Sequence, residues 1–144
     1  MSIFNAMKIN ASGLTLERMK IDTISSNIAN VNTTRTTEGG PYKRKEVLFE
    51  EMVSKSYNAA AKKEERASKG VKVTQIYEDP SNLQRVYQPE HPDADVEGYV
   101  TMPNVNLLDE MVSLMEAQRT YEANATALKA SKSILNKAIE ISKG

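Results

Sequence analysis

The constraint that acts on the whole chain is an apolar seam running through residues 104–143. Leu107, Met111, Leu114, Gln118, Tyr121, Ala125, Leu128, Lys132, Leu135 and Ile139 follow one another at alternating steps of four and three. That is the spacing of a helix winding around a partner. Leu108, Val112 and Met115 widen the stripe at its start, and Ala123, Ala125, Ala127 and Ala130 are strong helix formers of little bulk, so another backbone can come close there. Asn106, with Asp109 three residues on, reads as an N-cap with an acidic first turn. Lys132, Lys137 and Lys143 suit the C-terminal end. No proline follows Pro103. Such a helix needs a surface to pack against.

A second helical stretch spans residues 3–31. Phe4, Met7, Ala11, Leu14, Ile21, Ile24, Ile28 and Val31 fall on one broad face. Arg18 and Ser25 interrupt a strict seam, and Gly13 weakens its middle. From Asp22 the sequence turns rich in amides and hydroxyls through Asn27, Asn30, Asn32, Thr33 and Thr34. These residues compete with helical backbone bonds, so the helix is expected to end near Asn32. Too few large apolar side chains lie along this face to offset the entropy of ordering it. Both terminal segments are therefore expected to be disordered in a free monomer and to order on assembly. The polar breaks at Arg18, Ser25, Gln118 and Lys132 either restrict register and partner choice or face water in a two-helix hairpin.

The middle of the chain differs. Thr33 to Pro41, with Gly39-Gly40-Pro41, reads as a loop. Tyr42 to Glu50 reads as a short extended segment with Tyr42, Val47 and Phe49 as its bulk. Glu51 to Gly70 holds Ala59-Ala60-Ala61 and then Lys62-Lys63-Glu64-Glu65-Arg66, with no sustained apolar face, which predicts a solvated linker with at most a turn or two of helix. Val71 to Tyr77 alternates at its start and reads as a strand. Asp79-Pro80-Ser81-Asn82 is a turn. Pro89 and Pro92 forbid a central strand over Arg85 to Tyr99 and favour an extended edge, and Tyr99 to Met102 is expected to pair briefly before the last helix.

Charge and composition exclude several classes. Lys+Arg and Asp+Glu are 19 each, so there is no general basic field for nucleic acid. Residues 33–70 carry nine basic and six acidic side chains, whereas 71–103 carry two and six; these regions form a solvated surface or attract one another within or between copies. The absence of cysteine removes disulfides, thiolate metal sites and thiol nucleophiles. No apolar run approaches the roughly 20 residues of a membrane span. Met1 to Lys8 lacks the apolar core of a cleaved secretory signal, so export would need another route.

No constellation of catalytic residues emerges. His91 is the single histidine, between Glu90 and Pro92, without the fixed partners that triad or metal chemistry requires. Glu90, Asp93, Asp95 and Glu97 lack the calcium-loop pattern of a central glycine and a terminal glutamate. Gly39-Gly40 has no Lys-Ser or Lys-Thr after it, as a phosphate loop would. Lys43-Arg44-Lys45 beside Tyr42 is a local basic patch, weak support for nucleic acid in a neutral chain. The acid pairs Asp109-Glu110 and Glu64-Glu65 are accounted for by helix dipole and solubility. Catalytic, cofactor-binding and metal-binding residues are all expected to be absent.

Ser12-Gly13-Leu14-Thr15-Leu16-Glu17-Arg18-Met19-Lys20-Ile21-Asp22, followed by Ile24-Ser25-Ser26-Asn27-Ile28-Ala29-Asn30-Val31-Asn32-Thr33-Thr34, resembles the N-terminal signature of flagellar rod and hook proteins. Gly39-Gly40-Pro41-Tyr42-Lys43-Arg44-Lys45 is similar to the proximal-rod members in particular. Tyr99-Val100-Thr101-Met102-Pro103-Asn104-Val105-Asn106 and Glu110-Met111-Val112 through Glu116-Ala117-Gln118-Arg119-Thr120-Tyr121-Glu122-Ala123-Asn124 also resemble this family. The short middle departs from the hook and distal-rod members, which carry larger inserts.

The resemblance implies a structural subunit of the bacterial flagellar basal body. It would cross the flagellar export apparatus without a cleaved signal, polymerise in the periplasm-spanning rod, and carry torque from motor to hook. Expected partners are the chain itself, other rod proteins, the adaptor at the rod base and MS ring, and the export apparatus, with no nucleic acid and no membrane insertion. The expected fold is mainly α. Helices over 1–35 and 104–144 pair as an antiparallel coiled coil and form the polymer core, around a small irregular β unit with a charged linker over 36–103. Phe4, Met7, Leu14, Ile21, Ile28, Leu107, Met111, Leu114, Tyr121, Leu128 and Leu135 are expected to pack between helices and subunits, and Asn27, Asn30 and Asn32 to hold the turn where the first helix ends. Alternatives are a distal-rod or hook subunit, a helical adaptor or export chaperone, and, last, an enzyme.

Overall fold

A computed structural model describes the backbone of residues 3–58 and 63–143. Two long helices bracket two small two-stranded sheets. Helix α1 covers Ile3–Ala29, strands β1 and β2 cover Lys45–Asn58 and Lys63–Glu78, β3 and β4 cover Gln84–Tyr87 and Tyr99–Met102, and helix α2 covers Leu107–Lys143. β1 pairs with β2 and β3 with β4. The short step from Asn58 to Lys63 permits only antiparallel neighbours, and β3 and β4 are antiparallel with Gln84 opposite Met102 and Tyr87 opposite Tyr99.

One expectation for the middle is corrected. The solvated linker expected over Glu51–Gly70 is instead, over 51–58 and 63–70, part of the β1–β2 ribbon; Ala59-Ala60-Ala61-Lys62 lies outside the described residues. The first helix stops at Ala29 and turn residues follow to Asn32, close to the expected end. The Asn30 amide donates to the Ser26 carbonyl at 2.8 Å, and the Thr33 N–H closes a turn onto the Asn30 carbonyl at 3.0 Å, a local alternative to further helical bonds.

The chain divides into two compact units. The first comprises Met1–Met19, Leu48–Gln75 and Ala117–Gly144. Leu16, Glu17 and Ala117 are buried in it. Here α1 meets β2 closely at Gly70, whose φ is +106° and where an added Cβ would overlap Ser12 Oγ. Glycine fits because it carries no Cβ. The Ser12 hydroxyl donates to the Ile9 carbonyl at 2.7 Å and accepts the Val71 N–H at 3.1 Å. Gly13 of α1 lies against Asn124 of α2, and a Cβ there would be 3.0 Å from Asn124 Nδ2.

The second unit comprises Lys20–Val47 and Ile76–Glu116. Its apolar interior is small: Tyr42, Val47 and Val100. Tyr87 and Tyr99 stack edge to face at 5.3 Å, and Arg85 lies 5.0 Å over the Tyr99 ring, which ties the outer face of the β3–β4 pair. α2 begins with the expected cap: Asn106 Oδ1 accepts the Leu108 N–H at 3.1 Å, with Asp109 and Glu110 in the first turn.

Candidate functional site

The centre of the second unit is polar. Asn27, on the last turns of α1, is fully buried, and every hydrogen-bonding position of its amide is filled. Its Nδ2 donates to the Lys45 carbonyl at 2.9 Å and to Glu110 Oε2 at 3.0 Å. Its Oδ1 accepts the Tyr42 hydroxyl and the Lys45 N–H, both at 2.9 Å. A side-chain amide presenting a donor and an acceptor two bonds apart matches a backbone N–H and C=O, so Asn27 binds Lys45 as a neighbouring strand would.

Glu110 is 1% exposed. The Asn106 cap fixes the first turn of α2 and the Glu110 N–H returns to the Asn106 carbonyl at 3.0 Å, which turns the carboxylate inward. One oxygen takes the Asn27 amide and the other takes Arg44 Nε at 2.6 Å. Arg44 is held by its own backbone: its N–H reaches Asn104 Oδ1 and its carbonyl accepts from the Asp79 N–H, each at 2.8 Å. Its guanidinium also lies 3.2 Å from Glu46. Burial disfavours the Arg44 charge, but the hydrogen bond and charge of Glu110, then those of Glu46, outweigh it and raise its pKa. Asn104 Nδ2 continues the network to Asp79 and Ser81. Among the described residues no buried side-chain polar atom lacks a partner.

Chemically this is a clamp. Its donors and acceptors are consumed by one another, so they hold the end of α1, the approach to β1 and the start of α2 together. The sequence assigns Glu110 to dipole and solubility effects, and the structure corrects this: it is the most deeply buried charged side chain described. Within the basic patch Lys43-Arg44-Lys45, Arg44 is turned inward while Lys43 stays exposed. Arg44 serves Glu110, and Lys45 Nζ lies 3.8 Å from Glu78.

Elsewhere the acids of the 88–98 loop tie it to itself and to neighbouring segments. Asp95 accepts from the Tyr99 and Glu97 N–H groups and from Arg85, and Asp93 accepts from the Thr34 hydroxyl. His91 Nδ1 accepts the Asp93 N–H at 3.1 Å. Among the described residues no group of acids and histidines is arranged to hold a metal ion, and no helix is long and apolar enough to cross a membrane.

The packing residues expected from the seams are not fully buried. Met7, Leu14, Ile21, Ile28, Leu114, Leu128 and Leu135 are half-buried, and Phe4, Leu107, Met111 and Tyr121 are exposed. Leu108 and Val112 are 73% and 60% exposed, and Met115 is also open. Of the signature amides, Asn27 is the clamp, Asn30 caps the turn after α1 and Asn32 is exposed.

A closed polar clamp beside apolar helix faces left uncovered is an arrangement for packing against neighbours. Comparison with known proteins agrees. The family described as "Flagella basal body rod protein" matches residues 7–35 and that described as "Flagellar basal body rod FlgEFG protein C-terminal" matches 96–141. The chain is 45% identical over 150 aligned positions to the flagellar basal-body rod protein FlgC of Bacillus subtilis, covering 99% of this chain and 100% of that one. It is 41% identical over 152 positions to FlgC of Borreliella burgdorferi, with both chains fully covered, and 36% identical over 140 to FlgC of Aquifex aeolicus, with 97% of each covered. The chain belongs to the FlgC family of flagellar basal-body rod proteins, whose members are structural components of that rod.

Proposed function

We propose that the chain polymerises, with itself and with other rod proteins, into the proximal part of the flagellar drive shaft that carries torque from motor to hook. The observation that carries this reading is the open row of Leu108, Met111, Val112 and Met115 on a helix turn that is otherwise capped and clamped. Apolar side chains held rigidly in water are a surface kept for a neighbour. In the polymer, heterologous contacts that do not close would cover the row.

The finer architecture follows the same reading. Helices α1 and α2, in the terminal segments 1–35 and 104–144, pair antiparallel and form the inner wall, with Phe4, Met7, Leu14, Ile21, Ile28, Leu107, Met111, Leu114, Tyr121, Leu128 and Leu135 as packing residues. Two contacts support the antiparallel sense. Gly13 lies against Asn124 and Asn27 against Glu110, so fourteen residues forward along α1 correspond to fourteen back along α2. Residues 36–103 face outward and set lateral contacts. The adaptor at the rod base and MS ring and the export apparatus are the remaining partners. Export proceeds without a cleaved signal, and the assembled subunit lies in the periplasm-spanning rod.

Val112→Asp tests this, because the side chain is open in the single chain and its replacement leaves the clamp untouched. Produced in a cell lacking its own copy, the native chain is expected in purified basal bodies and restores swimming. The variant is expected to be made at native level, to be absent from basal bodies, and to leave the cells non-motile. Normal swimming with Val112→Asp refutes the reading.

A further inference from the structure

The first turns of α2 bury the wrong residue by hydrophobicity. Leu107, Leu108, Met111, Val112, Leu114 and Met115 all lie within nine positions, yet the side chain withdrawn most completely from water is that of Glu110. Each residue turns an α-helix by about 100°, so a rotation of about 40–60° would bring Leu114 or Leu107 toward the place of Glu110, and one of about 100° would bring Met111. An interior that asks only for apolar bulk accepts many such rotations and shifts. One that asks for two acceptor oxygens, 3.0 Å from Asn27 Nδ2 and 2.6 Å from Arg44 Nε, accepts one.

We infer that Asn27, Arg44 and Glu110 form a register lock: they are positioning residues that set the rotation and axial phase of the α2 N-terminal turns, and so determine which apolar row is offered to the neighbouring subunit. Buried ionic groups often add little net stability over well-packed apolar ones, while specifying one arrangement among several. Both partners of the Glu110 carboxylate are donors fixed by other bonds: Asn27 by Lys45 and Tyr42, Arg44 by its backbone bonds to Asn104 and Asp79. The lock therefore constrains α2 from two directions. The inference rests on the proposed rod assembly.

Two double variants separate positioning from stabilisation. Arg44→Met with Glu110→Met replaces the ion pair by unbranched apolar side chains and leaves the Asn27 bonds to Lys45 and Tyr42 in place. Arg44→Gln with Glu110→Gln keeps the polar pattern without charge, since a glutamine amide at position 110 accepts from Asn27 and donates to the amide at position 44. Both are purified for peptide-resolved hydrogen exchange over 20–47 and 99–116, and both are expressed in cells lacking their own copy to quantify incorporation into basal bodies. The lock predicts that the Met pair, in which one buried Asn27 Nδ2 hydrogen loses its acceptor, loses about tenfold in protection but at least a hundredfold in incorporation, whereas the Gln pair keeps both. Incorporation of the Met pair at native level overturns the lock. So does parallel loss of protection and incorporation in the Met pair, which assigns the clamp to stability alone. So does a Gln pair that is protected yet excluded. Failure of the native chain itself to enter basal bodies refutes the rod reading instead, and is scored separately.

Discussion

Asn27→Asp changes one NH2 group into an oxygen of nearly the same size, so its effect isolates polarity at the centre of the clamp. The new oxygen stands 2.9 Å from the Lys45 carbonyl and 3.0 Å from Glu110 Oε2, turning two hydrogen bonds into acceptor–acceptor contacts. Two carboxylates at that separation repel by about 5–6 kcal/mol at an effective dielectric of about 20. Binding a proton is the cheaper route. Against an ordinary aspartate pKa of about 3.9, protonation at pH 7 costs about 4 kcal/mol, and at pH 5 about 1.5 kcal/mol. The protonated side chain restores one of the two lost bonds and leaves about 1 kcal/mol of deficit for the other. The sign follows from the direction of the shift. The folded-state pKa of the introduced carboxyl is raised above its unfolded value, so the folded state holds the extra proton and the variant regains stability as pH falls from 7 to 5. Urea unfolding followed by circular dichroism at both pH values measures this, with Asn27→Ala as the uncharged control. The Asp variant is expected to recover about 2–3 kcal/mol relative to the native chain on acidification, and the Ala variant none. An Asp variant as stable as native at pH 7, or one whose deficit is the same at both pH values, refutes the placement of Asn27 between two acceptors.

Gly70→Ala must drive a Cβ into Ser12 Oγ on a backbone with φ of +106°. The strain costs about 1–3 kcal/mol, and displacement of Ser12 breaks its bond with the Val71 N–H, so a thermal midpoint lowered by several degrees is expected; an unchanged midpoint refutes the contact. The Asp95 carboxyl is held below the usual aspartate range, first by the Tyr99 N–H and then by Arg85 and the Glu97 N–H. A depressed folded pKa gives stability that is present above the unfolded value of about 3.9 and lost as pH falls through the folded one. Amide protection of the 88–99 loop is therefore expected to persist at pH 5, to fall only below about pH 4, and to be reduced at every pH in Asp95→Ala; a loop that loosens already at pH 5 counts against it.

The helices are legible in the sequence because apolar residues recur along them at helical steps, and α2 shows a period near 3.5 from Leu107 to Ile139. β4 is legible too, as a short extended run between turn residues. The distal β1–β2 ribbon is hidden for a physical reason. Leu48 and Phe49, then Met52 and Val53, are neighbours in sequence and all exposed. A ribbon with apolar side chains on both faces has no period-two signature to read. The charged residues that follow Ala61 then look like any solvated run.

Glu110 escapes a reading of the sequence for a different reason. An acidic residue in the first turn of a helix is what the helix dipole alone would favour, and nothing on α2 marks it as buried. The information lies in Asn27 and Arg44, 83 and 66 residues away. The amide-rich run around Asn27 is visible but has the composition of a turn former, which describes Asn30 and not Asn27. This division of labour has a rationale in the proposed assembly. A subunit that keeps its apolar rows for neighbours leaves little hydrophobic difference to choose among its own internal arrangements, so that choice passes to contacts that water-exposed apolar side chains cannot imitate. The clamp has that character: directional, fully paired, and assembled from three segments, so that no single stretch of sequence reveals it.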